Sequence, residues 1–459
     1  MSEIETLPAS AIEQQQGVAT AEKMGWTARQ KFAFRVVFIY VIQLCIPLRP
    51  RFYNNLFNLN FDEFNWQTLS GFTGIGSPEY IDIGDDIWGL YSYINLGVGL
   101  AVALALALIW TLIDKKRKNY DLLYYWILVV ARYRAAFGII AWGMKKFVPK
   151  QMEIPSLTFL QTPFADFSEQ KVYWQSVGIA QNYEIFLGFA EILAGVLLLF
   201  RKTTAIGAAL LAIVLFNICI ANHAYDGMVH VGSFTYTILG VIILWPYFGN
   251  VWRLLVKKED VVPEFRYPEF TSGLQNYSRI GLKALSIGIF VFFSYYLHYI
   301  DYVGYRYPHD YPGLKNAAGI YEVTEFRLNN KLIPYSPLDS VRWQDAVFEK
   351  WSTLTFKVNR LQHMDNDNTG REGKKSINKR FEFRGIGGGR HYFNYKIDRK
   401  RQILYLENKN RAHRDQKQEL HYERPSPNRI VLSGLNEFKD SIYVVLDRKT
   451  NEFAVTKTP

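Results

Sequence analysis

Residues 87–113, 203–222 and 231–252 each run without Asp, Glu, Lys, Arg or His. They are bounded by Asp86 and Asp114, by Lys202 and His223, and by His230 and Arg253. A helix that crosses the hydrocarbon core of a bilayer needs about 20 predominantly apolar residues, because only an internally bonded backbone survives there. All three runs meet that length. Four more stretches are apolar but marked: 32–48 by Arg35, 122–147 by Arg132 and Arg134, 183–200 by Glu184 and Glu191, and 281–300 by Lys283 and His298. The reading is a transmembrane bundle of about seven spans, with Arg35 snorkelling to the interface from one end of the first.

The mean hydropathy of −0.06 averages two unlike parts. Residues 301–459 hold 29 Lys+Arg and 20 Asp+Glu, a net of +9 out of the total +11. This split excludes a single soluble globule, a disordered chain and a collagen-like fibre. It predicts a flexible tail over residues 1–30, a helical transmembrane domain over 31–300 and an extracytoplasmic β domain over 301–459, able to fold alone. No secretory leader is read at the start. Cys45 and Cys219 both lie in apolar stretches and the last 159 residues have no cysteine, which excludes a disulfide scaffold and Cys-ligated zinc or iron–sulfur centres. No metal site is expected.

Lys and Arg in the short flanks set the orientation. With the N-terminus inside, the inner flanks hold 16 and the outer flanks six. Seven spans then put the C-terminal domain outside, in the periplasm of a bacterial inner membrane. The outer loops 49–86 and 148–182 read as connections, with capping of the bundle as the alternative.

Arg132, Arg134 and Glu191 stand where a charge costs roughly 2.5–3.5 kcal/mol even on lenient scales. Arg134 lies 12 residues from Leu122, roughly 18 Å at about 1.5 Å per residue. Glu191 reaches an overlapping depth from the other side. An Arg134–Glu191 pair facing the bundle interior follows, either as a polar site or as a structural lock. A second constellation is Asn217, Asn222, His223, Asp226 and His230, on the outer turn between the fifth and sixth spans. Imidazole beside carboxylate suits proton exchange with a quinol, or metal binding, though the spacing is no recognised metal signature, and water-facing polar residues are the bland alternative. The candidate site residues are thus Arg134, Glu191, His223, Asp226 and His230.

Two segments carry a resemblance. One runs from Arg134 through Gly138 and Gly143 to Lys146-Phe147. The other runs from Glu184 through Gly188, Glu191, Ala194 and Gly195 to Arg201. Together with the turn Asn222-His-Ala-Tyr225-Asp226 and Pro246, they resemble a DoxX-like membrane domain, in the version found in Bacteroidetes proteins, over about residues 122–255. The resemblance implies a redox-linked membrane subunit serving a quinone or thiol system, and a quinone is the one cofactor it suggests. Two spans before, one after and a soluble domain depart from the minimal four-helix family. No haem attachment motif, Rossmann fingerprint or redox cysteine pair accompanies it.

Residues 319–459 read as short strands with turns between them, a meander closing into a small barrel or sandwich, lipocalin-like by analogy. The strands fall at 319–328, 341–350, 353–361, 379–385, 390–398, 401–407, 417–423, 428–434, 440–447 and 452–457. Segment 362–378 reads as a mobile loop, and the glycines from Gly385 to Gly389 as a turn. Two functions stay open: a redox-linked membrane subunit, and a non-enzymatic anchor or assembly module binding a periplasmic protein through its β domain. Partners are the lipid bilayer and a protein; nucleic acid is not expected.

Overall fold

The computed structural model describes residues 25–48, 50–73, 78–83, 89–262, 272–303, 311–365, 377–378 and 380–450. The tail up to Met24, most of the loop 362–378 and the strand expected at 452–457 lie outside them. The chain forms an apolar helical region and then a β-barrel. It divides into two compact units. One holds residues up to Ile139, Leu193–Phe216 and Val231–Ile287; the other holds Ile140–Ile192, Asn217–His230 and Gly288 onward.

The helices are α1 (Ala28–Cys45), α2 (Pro50–Phe57), α3 (Trp66–Thr73), α4 (Ile94–Ile113) and α5 (Asp121–Phe147), then α6 (Leu157–Gln161) and α7 (Glu169–Gly178). After them come α8 (Gln181–Leu198), α9 (Thr204–Ala224), α10 (His230–Leu255), α11 (Gly273–Ile287) and α12 (Ser294–Val303), the last two joined by a π-helical turn. Helix α1 begins with a capping box, in which Thr27 Oγ1 accepts from Gln30 N and Gln30 Oε1 accepts from Thr27 N. Among the described residues, five helical stretches are long and apolar enough to cross a membrane: Gly89–Ile113, Asp121–Phe147, Arg201–Ala224, His230–Leu255 and Gly273–Val303. Helices α1 and α8, 18 residues each, fall on the other two positions where the sequence predicts a span.

Arg35 does not snorkel. It is 3% exposed and donates to Tyr120 Oη, Thr111 Oγ1 and the Asp114 carbonyl at 2.6–3.0 Å. Its guanidinium also lies over the Trp110 and Tyr120 rings. A planar fork with several acceptors in reach is better satisfied there than by stretching to the surface.

The barrel strands are β1 (Gly319–Leu328), β2 (Lys331–Leu332), β3 (Asp345–Phe348), β4 (Thr353–Lys357), β5 (Arg390–Asp398), β6 (Ile403–Asn408), β7 (Lys417–Ser426), β8 (Arg429–Leu435) and β9 (Ser441–Arg448). All pairings are antiparallel. Strand β1 pairs with both β3 and β9, so eight strands close on themselves, with β2 a short appendage. Closure leaves no long unpaired edge. A register shift between Val323 and Glu325 keeps Tyr321, Val323 and Phe326 all turned inward. Of the strand expected at 379–385, residues 380–385 do not form one. Arg380–Glu382 is a 3-10 turn, and its Glu382 is committed to a buried ion pair.

The barrel interior is filled. Phe326, Phe348, Phe356, Phe393 and Tyr395 are at most 1% exposed, and Trp343 stacks on Phe356 at 3.9 Å. One cleft, between Phe326, Trp343, Arg360, Glu437 and Phe438, admits about one water molecule.

His391 lies on the same stack, 5.4 Å from Phe356, with Nδ1 bonded to Gln362. Its Nε2 finds no partner among the described residues. Burial, aided by Arg360 and His413, pushes this imidazole down to about 3. The unfolded imidazole protonates near 6.5, so below that pH the unfolded chain binds the extra proton. Stability is therefore full above pH 6.5 and falls toward pH 3, by at most about 1.4 kcal/mol per unit. His391→Phe keeps the stacking and should flatten that fall. Thermal midpoints that decline in parallel for both proteins would assign the slope to other groups.

Candidate functional site

Helices α5 and α8 meet through glycine. A side chain at Gly143 would stand 2.8 Å from the Gly188 carbonyl, and one at Gly188 would stand 2.4 Å from the Phe147 amide. Lys146 lies three residues after Gly143, and Glu191 three after Gly188. The helices run antiparallel, so Lys146 stands at the Gly188 level, Glu191 at the Gly143 level, and the two side chains meet across the glycine contact. Lys146 Nζ donates to Glu191 Oε1 at 2.8 Å, with side chains 10% and 1% exposed. Glu191 Oε2 has no hydrogen-bond partner among the described residues.

This changes the expected pairing. Glu191 is held by Lys146. Arg134 donates to the carbonyls of Cys45, Phe72 and Thr73, at 2.7–3.3 Å. Arg132 donates twice to the Leu198 carbonyl, at the C-terminus of α8, where the helix dipole favours a cation. Glu191 lies against Gly143, where an added Cβ would stand 3.0 Å from the Glu191 Cβ. Gly143 is nine residues along α5 from Arg134, roughly 13 Å at about 1.5 Å per residue, so the equal depth expected of Arg134 and Glu191 does not hold. Lys146 stood in the motif that carries the family resemblance, three residues after a glycine. That spacing, mirrored in Gly188 and Glu191, was the available signal.

The turn after α9 is shaped by Asn222, whose Nδ2 donates to the Ile218 carbonyl and whose own carbonyl accepts from Gly227 N. Asp226 and Met228 have positive φ. The His223 and His230 rings approach to 4.5 Å between centroids, and His230 is 2% exposed. Asp226 is exposed. Among the described residues no group of three or more His, Cys, Asp or Glu is placed to hold a metal ion. Tyr225 stacks on Tyr173 of α7 at 4.8 Å. The Tyr173 hydroxyl is pushed up by burial and by Tyr183, Tyr225 and Glu191. The structure thus brings Lys146, Glu191, Tyr173 and Tyr225 together and pairs His223 with His230.

The connection 148–182 is built into the barrel. Glu184 Oε1 accepts from Gln151 N and Met152 N at its start. Glu349 accepts from Leu157 N and Thr158 N, and Thr158 Oγ1 meets Thr355 Oγ1 at 3.2 Å. Gln161 donates to Asp345, which also takes Arg390, and Lys357 pairs with Asp166. Phe159 and Phe167 pack on Phe383, Ile386 and Tyr392, while Lys171 donates to the Phe381 carbonyl. Burial raises the Glu349 carboxyl and lowers the Lys171 ammonium from their ordinary values. The outward faces of β3, β4 and β5 are therefore buried under residues 157–171. Both faces of these strands being buried was visible only as extra apolar and polar-neutral residues, such as Val347, Thr353 and Thr355.

The architecture defines a class, an apolar multi-helix region followed by a closed β-barrel. No family model matches the chain, and no solved structure matches it. Over 114 residues it is 33% identical to the uncharacterized protein YwoB of Bacillus subtilis (strain 168), a stretch that is 24% of this chain and 70% of that protein. The chain belongs to the YwoB family.

Proposed function

We propose that this is a multi-pass membrane protein of the bacterial inner membrane whose barrel stands on the periplasmic side as an assembly module for a protein partner. The filled barrel interior carries this reading: a barrel packed with aromatic side chains works through its surface. The faces of β3–β5 are already covered, which leaves the outer faces of β1 and β6–β9, where Tyr405 and Tyr443 are exposed. The Lys and Arg bias of the flanks supports the orientation. A photo-crosslinker placed at Tyr443 or Tyr405 in cells should yield one discrete protein adduct, and one placed at Val347 none. Lipid or self adducts alone would overturn the assembly role. Ser433→Cys should react with an impermeant maleimide in intact spheroplasts, and protection there would overturn the orientation.

One observation favours a second reading, a DoxX-like redox-linked subunit. Glu191 keeps a buried oxygen without a hydrogen-bond partner among the described residues, beside Lys146 and near Tyr173. A quinone or quinol head group carries the acceptor and donor atoms that such a site would bind.

A further inference from the structure

The course of the connection fixes which end of the barrel lies toward the helix ends of its unit. Gln151 is tied to Glu184 of α8, and Leu157 follows six residues later, bonded to Glu349 at the C-terminal end of β3. From there the segment climbs the outer face to Asp166, which pairs with Lys357 at the C-terminal end of β4. It then returns, and Trp174 Nε1 donates to the Gln151 carbonyl. The entry to β1 lies at the same low end, where Ser352 N donates to the Tyr311 carbonyl. So does the hairpin between β5 and β6, where Asp398 stands opposite Ile403.

That hairpin reads Asp398-Arg399-Lys400-Arg401-Gln402, and Arg399, Lys400 and Arg401 are exposed. Its carboxylate is turned to the backbone, with Asp398 Oδ1 accepting from Lys400 N and Arg401 N. Lys315, Lys350 and Lys396 are exposed at the same end. Glu322 and Glu423 are also exposed there, so the basic residues exceed the acidic ones without excluding them.

We propose that this basic end of the barrel, led by Arg399, Lys400 and Arg401, binds the anionic head groups of the bilayer surface from which the helices emerge. The proposal rests on the reading that the helices cross a bilayer. Each Lys or Arg close to an anionic surface contributes about a fivefold preference. The contacts would steady the barrel upright against the leaflet, so that the outer faces of β6–β9 project away from it.

The test uses the full chain in nanodiscs of equimolar phosphatidylcholine and phosphatidylglycerol, with the lipids retained on the purified protein counted by mass spectrometry. The wild type should retain phosphatidylglycerol above its bulk share. Arg399→Gln/Lys400→Gln/Arg401→Gln should lose that enrichment, with about a fivefold fall in preference for each charge removed. Lys417→Gln/Lys439→Gln, at the opposite end, should behave as the wild type. Equal enrichment in the hairpin variant, or equal loss in the opposite-end variant, would overturn the proposal. So would complete displacement by excess inorganic phosphate, which would mark a free-anion site. An alkaline wash of native membranes tests the spanning reading separately: release of the chain would sink that reading before any lipid is counted.

Discussion

Glu382→Ala and Lys409→Met should each destabilise the barrel by about 3–5 kcal/mol, the range for orphaning one member of a buried pair. The two side chains are 3% and 0% exposed and meet at 2.6 Å. Glu382 Oε2 also accepts from Trp351 Nε1 at 3.0 Å and Thr353 Oγ1 at 2.8 Å, while Lys409 donates to Thr353 at 3.0 Å. Burial raises the Glu382 carboxyl, and the Lys409 ammonium opposes that rise. Removing either charge leaves the other desolvated and uncompensated. The double variant Glu382→Ala/Lys409→Met should lose less than the sum of the single losses. It will not recover fully, because Trp351 and Thr353 keep polar groups that cost about 1–3 kcal/mol each when unpaired. Chemical denaturation of the four proteins closes the cycle. Additive losses would show that the two residues do not act as a unit.

The second large effect concerns what the barrel needs in order to be complete. The fragment 301–459 lacks the residues that cover β3–β5. Without them Glu349 loses its two backbone donors and Asp345 loses Gln161. Phe383, Ile386 and Tyr392 lose Phe159 and Phe167, whose burial is worth about 2 kcal/mol each. A fusion that links residues 152–180 to 301–459 should therefore be more stable than 301–459 alone by several kcal/mol. Urea unfolding followed by circular dichroism would measure the difference. Equal midpoints and slopes would show that residues 157–171 are only a cover.

Strand β1 was legible to the residue, because alternation in Tyr321-Glu-Val323-Thr-Glu-Phe326 leaves one register that fills a core, as it does in Ile442-Tyr-Val444-Val-Leu446 of β9. The helices were legible because uncharged runs of that length have few other places to go. The ion pairs were not. The depth expected for Glu191 put it level with Arg134, whereas two glycines seat it beside Gly143 and within reach of Lys146. The connection 148–182 was read as loop because its helices are short and its prolines frequent. Its tertiary role depended on strands nearly two hundred residues downstream, which local pattern does not reveal. The segment 379–385 shows the reverse error: Phe381 and Phe383 imitate strand alternation while the backbone turns to deliver Glu382.

Thr158 precedes its barrel partner Thr355 by 197 positions. At about 5–20 residues per second of synthesis, roughly 10–40 s separate the two. During that interval residues 157–171 exist without the surface they cover, and Phe159 and Phe167 have nothing to pack on. The nascent chain thus carries an exposed adhesive patch that its own later product must claim. Chaperones would have their natural point of action in that window. Substitutions that slow the arrival of β3–β5 should lower yield more than they lower the stability of the finished protein.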